Sequence, residues 1–267
     1  MKKILSILFL SVLVLQANAQ KSSELGIFLG GSYYIGDLNP TDHLNSLTRP
    51  AAGIVFRHNI NMRLAYTVAA NFGSIQGIDA RTSSYEQQQR NLSFRSRLYE
   101  LAGRMEFNFI EYRMGDERHQ FTPFIFLGAA VYNFNPMANF GNQWIALQPL
   151  KTEGQGKGYM RTQVSVPFGA GFKVNLAQRI GLVLEWGMRK TFTDYLDDVS
   201  TVYADPGTLY ANGGAMAVAL ADRSVGVSDN VGRQRGNPRT KDWYNFSGIT
   251  LTFQLRDRPK QCAGYKY

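Results

Sequence analysis

One cysteine, Cys262, stands in 267 residues, so no disulfide can form within the chain. That excludes the disulfide-stapled secreted scaffolds, and leaves Cys262 either free or paired with another chain. Long hydrophobic runs are missing too. The longest, Ile4 to Leu15, falls short of the roughly 20 residues that a transmembrane helix needs. Residence in a membrane would therefore have to be as strands. Histidine is scarce, and His43, His58 and His119 all fall in expected loops or turns. His43 could serve a lipid-modifying enzyme only with a Ser or Asp partner that the sequence does not specify. The chain is accordingly read as a non-enzyme without catalytic residues, cofactor or metal.

What is present begins with a leader. Lys2 and Lys3 precede the apolar run, and Ala17-Asn18-Ala19 follows it. This predicts a secretory signal peptide over residues 1–19, with no nearby cysteine for a lipid anchor. The formal net charge is +9, two units of which belong to Lys2 and Lys3. A basic balance can signal nucleic acid, but an exported chain with scattered Lys and Arg argues against it. Lipopolysaccharide, outer-membrane lipid or an acidic protein partner suits that charge better.

The rest of the chain alternates apolar and polar residues with period two, broken by links of two kinds. Long links at 36–49, 78–90, 135–161 and 195–241 alternate with short ones at 58–61, 110–119 and 176–179. Sheet geometry does not require this, since a hairpin can be tight at either end. A membrane with different surroundings on its two faces does, and outer-membrane barrels carry short periplasmic turns and long external loops. The predicted fold is all-β: an eight-stranded antiparallel transmembrane β-barrel over residues 20–255, with a periplasmic tail at 256–267. Slightly negative mean hydropathy fits a polar lumen averaged with an apolar wall. The 13% aromatic content would furnish interfacial girdles.

Several segments fix the faces. In Tyr99–Phe109 the odd residues Tyr99, Leu101, Met105, Phe107 and Phe109 face lipid, while Glu100, Arg104 and Glu106 face inward. Only period two puts those three charges on one face. Leu25, Ile27, Leu29, Tyr33 and Ile35 are expected outside, with Glu24, Phe28 and Tyr34 inside. Leu182, Leu184, Trp186 and Met188 are expected outside, against Glu185 and Arg189. The segment 120–134 is apolar on both faces and has no assignable register. An eight-stranded barrel is just filled by side chains. Glu24, Glu100, Glu106 and Glu185 against Arg63, Arg104, Lys173 and Arg189 therefore predict a salt-bridged plug and no conduction. A soluble lipocalin-type barrel would reverse the pattern.

Other motifs are weaker. Thr193-Asp194-Tyr195-Leu196-Asp197-Asp198 could offer carboxylates to calcium but lacks the Gly and Glu spacing of an EF-hand loop. Pairing with Arg223, Arg233 or Arg235 is the plainer reading. Gly154-Gln155-Gly156-Lys157-Gly158 has no Walker spacing. At the short-turn end, Arg57, Arg113, Arg118, Arg179, Arg256, Arg258 and Lys260 would attract an acidic partner.

A family resemblance rests on particular stretches: Gly30–Pro40, Asn133–Pro136, Leu147–Gly156, Pro167–Gly171, Thr191–Thr201, Arg235–Pro238 and Asp242–Tyr244. Together they resemble the PorG-like outer-membrane proteins of Bacteroidota, associated with the type IX secretion system. The resemblance implies a non-enzymatic barrel that docks a periplasmic ring, built from a lipoprotein and a partner subunit, to the outer membrane. The expected docking residues are Cys262, by a disulfide to the ring lipoprotein, with Arg256, Arg258, Lys260, Arg113 and Arg118. The alternative is a barrel acting through its external loops, as an adhesin or ligand binder.

Overall fold

The computed structural model describes residues 22–226 and 229–255. The expected leader at 1–19 lies outside those residues, as does the tail with Arg256, Arg258, Lys260 and Cys262.

The described strands are β1 (Ser22–Ile35), β2 (Arg49–Asn59), β3 (Leu64–Ile78), β4 (Ser93–Asn108), β5 (Phe121–Phe140), β6 (Gln143–Ala146), β7 (Thr162–Ala177), β8 (Ile180–Thr191) and β9 (Trp243–Gln254). They pair in the order β4-β3-β2-β1-β9-β8-β7-β5, and a β4–β5 pairing closes the ring. All pairs are antiparallel, so the fold is a closed eight-stranded barrel; β6 only adds a short hairpin to the upper end of β5. Closure leaves no unpaired barrel edge, which is what a strand structure needs to sit in hydrocarbon.

Period-two patterning decides which side of the wall each residue takes. Along β4 burial alternates residue by residue from Phe94 to Asn108. Tyr99, Leu101, Met105 and Phe107 are exposed, while Glu100, Arg104 and Glu106 are buried. Charges inside and Leu, Ile and Phe outside are the reverse of a soluble barrel. From Phe109 to Tyr99 the outer apolar face runs about 33 Å along the strand, or about 25 Å along the axis at a tilt of about 40°. That matches the apolar band of a transmembrane barrel.

The ends differ as the rhythm predicts. Short links at 60–63, 109–120 and 178–179 share one end with the start of β1 and the end of β9, where Glu24 pairs with Gln254. Long links at 36–48, 79–92, 141–161 and 192–242 share the other. Two of the long links carry helices, α1 (Tyr85–Arg90) and α2 (Pro206–Ala221), the latter kinked at Gly213 and Gly214. Asp205 caps α2, accepting from the Thr208 N–H at 2.9 Å, and Pro206 opens it.

Four expectations are corrected. The loop at 135 begins later, because β5 runs on to Phe140 before turning into β6. Arg63 is not in the lumen: it sits half-exposed at the short-turn end, 3.6 Å from Glu111. Arg57 takes that lumen place instead of facing a partner, and is 1% exposed. Two residues separate it from the turn, and the inward phase of β2 (Val55, Arg57, Asn59) carries it inside. Tyr33 and Met188 have the outward phase but are buried, because the first long loop folds down over them. His43 Nδ1 lies 2.9 Å from the Tyr33 hydroxyl, which also accepts from Trp186 Nε1 at 3.0 Å.

Candidate functional site

The lumen gathers the predicted charges, with Arg57 in place of Arg63, into two bonded layers. Arg57 donates to Glu24 at 3.0 Å and to Glu106 at 2.9 Å. Lys173 Nζ lies 2.6 Å from Glu106 and donates to Asn108 at 2.9 Å. Arg104 pairs with Glu185 at 2.9 Å and reaches Glu106 at 4.0 Å. One layer higher, Arg189 donates to Glu100 at 3.0 Å, and Asn71 and Tyr244 each bond Glu100 at 2.8 Å. All eight charged residues are buried. Four acids against four bases leave no uncompensated charge, the condition on which buried ion pairs are tolerable.

β5 explains why its register could not be read. Its even residues point inward: Phe124 lies under the Lys173 ammonium at 4.6 Å and Phe126 under the Arg104 guanidinium at 4.5 Å. Aromatic faces attract cations, so apolar residues inside this lumen serve its charges. Gly187 leaves the necessary room, since a Cβ there would fall 2.5 Å from Arg189 Nη1.

Both mouths are closed. At the short-turn end the 109–120 link tucks Tyr112 and Met114 beneath the barrel, with the Tyr112 N–H donating to Met62 O at 3.1 Å. Arg113 and Arg118 remain exposed there, and Arg179 lies exposed on the neighbouring turn. At the other end Leu38, Leu196, Val199 and Leu220 form an apolar stopper above Phe94 and Phe134.

Over that stopper sits a cap in which the long loops interlock. Glu153 holds Arg235 at 3.0 Å and accepts the Ser200 N–H at 2.8 Å and the Thr201 hydroxyl at 2.7 Å. Arg235 also donates to the carbonyls of Ala221 and Asp198. Arg90 pairs with Asp79 at 2.8 Å and donates to Arg235 O and Asp37 O. Asp37 in turn accepts the Asn237 N–H at 3.0 Å. Most of the stretches that carry the family resemblance meet here. That convergence was invisible in sequence, since it joins positions up to 200 residues apart.

The cap is rich in acid. Tyr34 donates to both Asp197 and Asp242, and Asp242 accepts the Leu196 N–H at 2.9 Å. Asp198 accepts from Thr152 and from Tyr159, the latter at 2.7 Å. Burial pushes the Asp198 carboxyl up to about 6 despite Arg235 beside it. Burial, with Asp194 adding like charge, pushes Asp37 up to about 6, and burial holds Asp197 well above the usual range. The expected pairing of these acids with the loop arginines does not form: Arg235 pairs with Glu153 and reaches Asp198 only at its backbone carbonyl, and Arg223 donates to Ser93 at 3.2 Å. Asp194, Asp197 and Asp198 point to separate partners, and no metal-type cluster forms among the described residues. A polar cleft of about 320 Å³ opens between the loops, lined by Asp37, Gln87, Arg90, Tyr203, Asn230 and Arg233.

The histidines have ordinary partners. His119 bonds Asp116 at 3.1 Å. His58 Nδ1 lies 2.9 Å from Ser23 Oγ on the outer wall and packs on Tyr66, with no carboxylate bonded to its ring among the described residues.

Fold and site together define an integral membrane β-barrel with a charge-plugged lumen and a folded loop cap. The chain belongs to the family described as a domain of unknown function, DUF6089, whose model matches residues 2–206. No curated protein sequence matches it. Among solved structures it is similar to Ail, the attachment invasion locus protein of Yersinia pestis. The TM-score is 0.43 at 9% identity, covering 88% of this chain and 99% of that one. Neisserial surface protein A aligns with a TM-score of 0.40 at 9% identity, covering 87% and 97%. OprG from Pseudomonas aeruginosa aligns at 0.38 and 9%, covering 88% and 98%.

Proposed function

We propose that this chain is a non-enzymatic barrel of a bacterial outer membrane and a structural component of the type IX protein secretion machinery, docking its periplasmic ring to the membrane. The observation that carries a structural rather than a transport role is the lumen, blocked by its charge network and at both mouths. A barrel that passes nothing works through its surfaces. The secretion role draws on the PorG-like resemblance, and the short-turn surface supports it with exposed Arg113, Arg118 and Arg179. Each exposed pair with an acidic partner is worth only about 0–1 kcal/mol. A disulfide from Cys262 to the ring lipoprotein would supply the firmer anchor. Affinity purification of the tagged chain from native membranes, with and without reductant, tests this. The ring subunits should co-purify, in a larger adduct that collapses on reduction and disappears in Cys262→Ser. Recovery of the barrel without them would refute the role.

A second reading has its own support: the long loops fold into one cap and leave a polar cleft between them. On that reading the barrel binds a polar ligand from outside the cell, and Arg233→Ala, on the cleft wall, would weaken binding while leaving ring association intact.

A further inference from the structure

Three arginines, Arg95, Arg97 and Arg161, crowd the outer wall at the long-loop rim. Arg95 and Arg97 lie in the outward phase of β4, directly above exposed Tyr99. Arg97 pairs across the strands with Asn135, whose side chain accepts from Arg161 at 3.2 Å, and Arg161 is exposed. Arg49 lies close enough to Arg95 for their charges to repel. Arg49 itself has the inward phase of β2, opposite buried Ser32, and its Nε is buried with no partner, so it stands behind the cluster and not in it. Arg95 is steered by Trp144, whose ring lies 5.8 Å from its guanidinium. None of these arginines takes part in an ion pair among the described residues. The lumen and the cap pair their buried arginines with acids, so this cluster stands apart.

Immediately below it the wall is hollow. Small Ala52 and Ala70 lie between Ile54, Phe72, Tyr99 and Val131, and leave an open, mainly apolar groove of about 810 Å³. Phe72 and Tyr99 pack at its upper edge with ring centroids 5.1 Å apart and planes tilted by 44°. The arrangement is a cation cluster, an aromatic border and an apolar trough, read downward across the wall from β2 to β7.

The geometry points to a binding site for a phosphorylated, multiply acylated glycolipid of the lipid A kind, its phosphates on Arg95, Arg97 and Arg161 and an acyl chain in the groove. Guanidinium forks match phosphate oxygens bidentately. Several cations within one rim suit a head with more than one phosphate better than a phospholipid with a single charge. The site rests on the outer-membrane placement proposed above, because that glycolipid belongs to the outer leaflet beside the long loops.

The test uses the full chain folded in detergent and native mass spectrometry with four probes: diphosphoryl lipid A, its deacylated head, phosphatidylglycerol and inorganic phosphate. Wild type should bind lipid A at least tenfold more tightly than phosphatidylglycerol, and inorganic phosphate should not compete. Arg95→Gln/Arg97→Gln should lose at least tenfold in lipid A affinity. Ala70→Trp, which fills the groove, should weaken lipid A but not its deacylated head. Retained heat-modifiable gel migration certifies folding, and Arg161→Gln carries the test should the double variant misfold. Equal binding of both lipids, unchanged affinity in the variants, or displacement by inorganic phosphate would each overturn the site. Insertion into bilayers without lipid A preference removes this site alone. Failure to fractionate with the outer membrane removes the placement beneath it.

Discussion

The lumen and the cap are both buried, both charged and both built from Arg against Asp or Glu, yet they are different devices. In the lumen every acid has its base, and each side chain leaves a barrel strand whose register is fixed on both sides. In the cap Asp37, Asp194, Asp197, Asp198, Asp242 and Glu153 outnumber Arg90 and Arg235, and several acids are held by hydroxyls and backbone N–H groups instead. A balanced network locks, because removing any member strands its partner. An acid-rich one is poised, because its carboxyls sit near the pH at which they ionise.

The largest expected effect comes from breaking the lumen at its hub. Glu106 faces Arg57, Lys173 and Arg104, so Glu106→Leu should cost about 3–5 kcal/mol, seen as a collapse of the folded, heat-modifiable band at lower temperature. A fall of less than about 1 kcal/mol would mean that the network is not what holds the barrel.

Cutting the cap should leave the barrel standing. Glu153→Ala removes the acceptor of Arg235, Ser200 and Thr201, at a cost of roughly 1–3 kcal/mol to the cap alone. Limited proteolysis should then cleave within 192–242 while the melting of the barrel is unchanged. Parallel loss of both would make the two regions one unit.

The pH response sharpens the contrast. Asp198 has a carboxyl near 6 in the folded cap against 3.8 unfolded, so between those values the folded state holds a proton that the unfolded state has lost. Cap stability should be highest below about pH 4 and fall as pH rises through 6, by about 1–3 kcal/mol. Protease protection of the cap should fall over that window in wild type and less steeply in Asp198→Asn, where Asp37 still titrates. A rise with pH would contradict the assignment.

The smallest effect on stability belongs to the short-turn surface. Arg113→Ala and Arg118→Ala should change barrel stability by less than about 0.5 kcal/mol. Their effect should appear only in recovery of ring subunits.

The same contrast governs what the amino-acid pattern could reveal. The wall of β4 was legible because each residue there has one neighbour set, lipid or lumen, and period two sorts them. Strand β5 was illegible because Phe124 and Phe126 cover cations, which makes an inner face look like an outer one. Arg57 and Arg63 changed places near a turn, where the pattern holds too few residues to set the phase. Tyr33 and Met188 obey the phase, but a loop covers them. The folding of the long loops into one cap is not legible in the pattern, because the link from Asp37 to Asn237 has no local signature. The Ser200–Glu153 and Arg235–Asp198 links have none either.

The claim beneath all of this is that the barrel transmits nothing and acts through its two ends. Single-channel recording of the purified chain in planar bilayers addresses it directly. The account predicts insertion with no steady conductance. A stable open pore in the wild-type protein would contradict it.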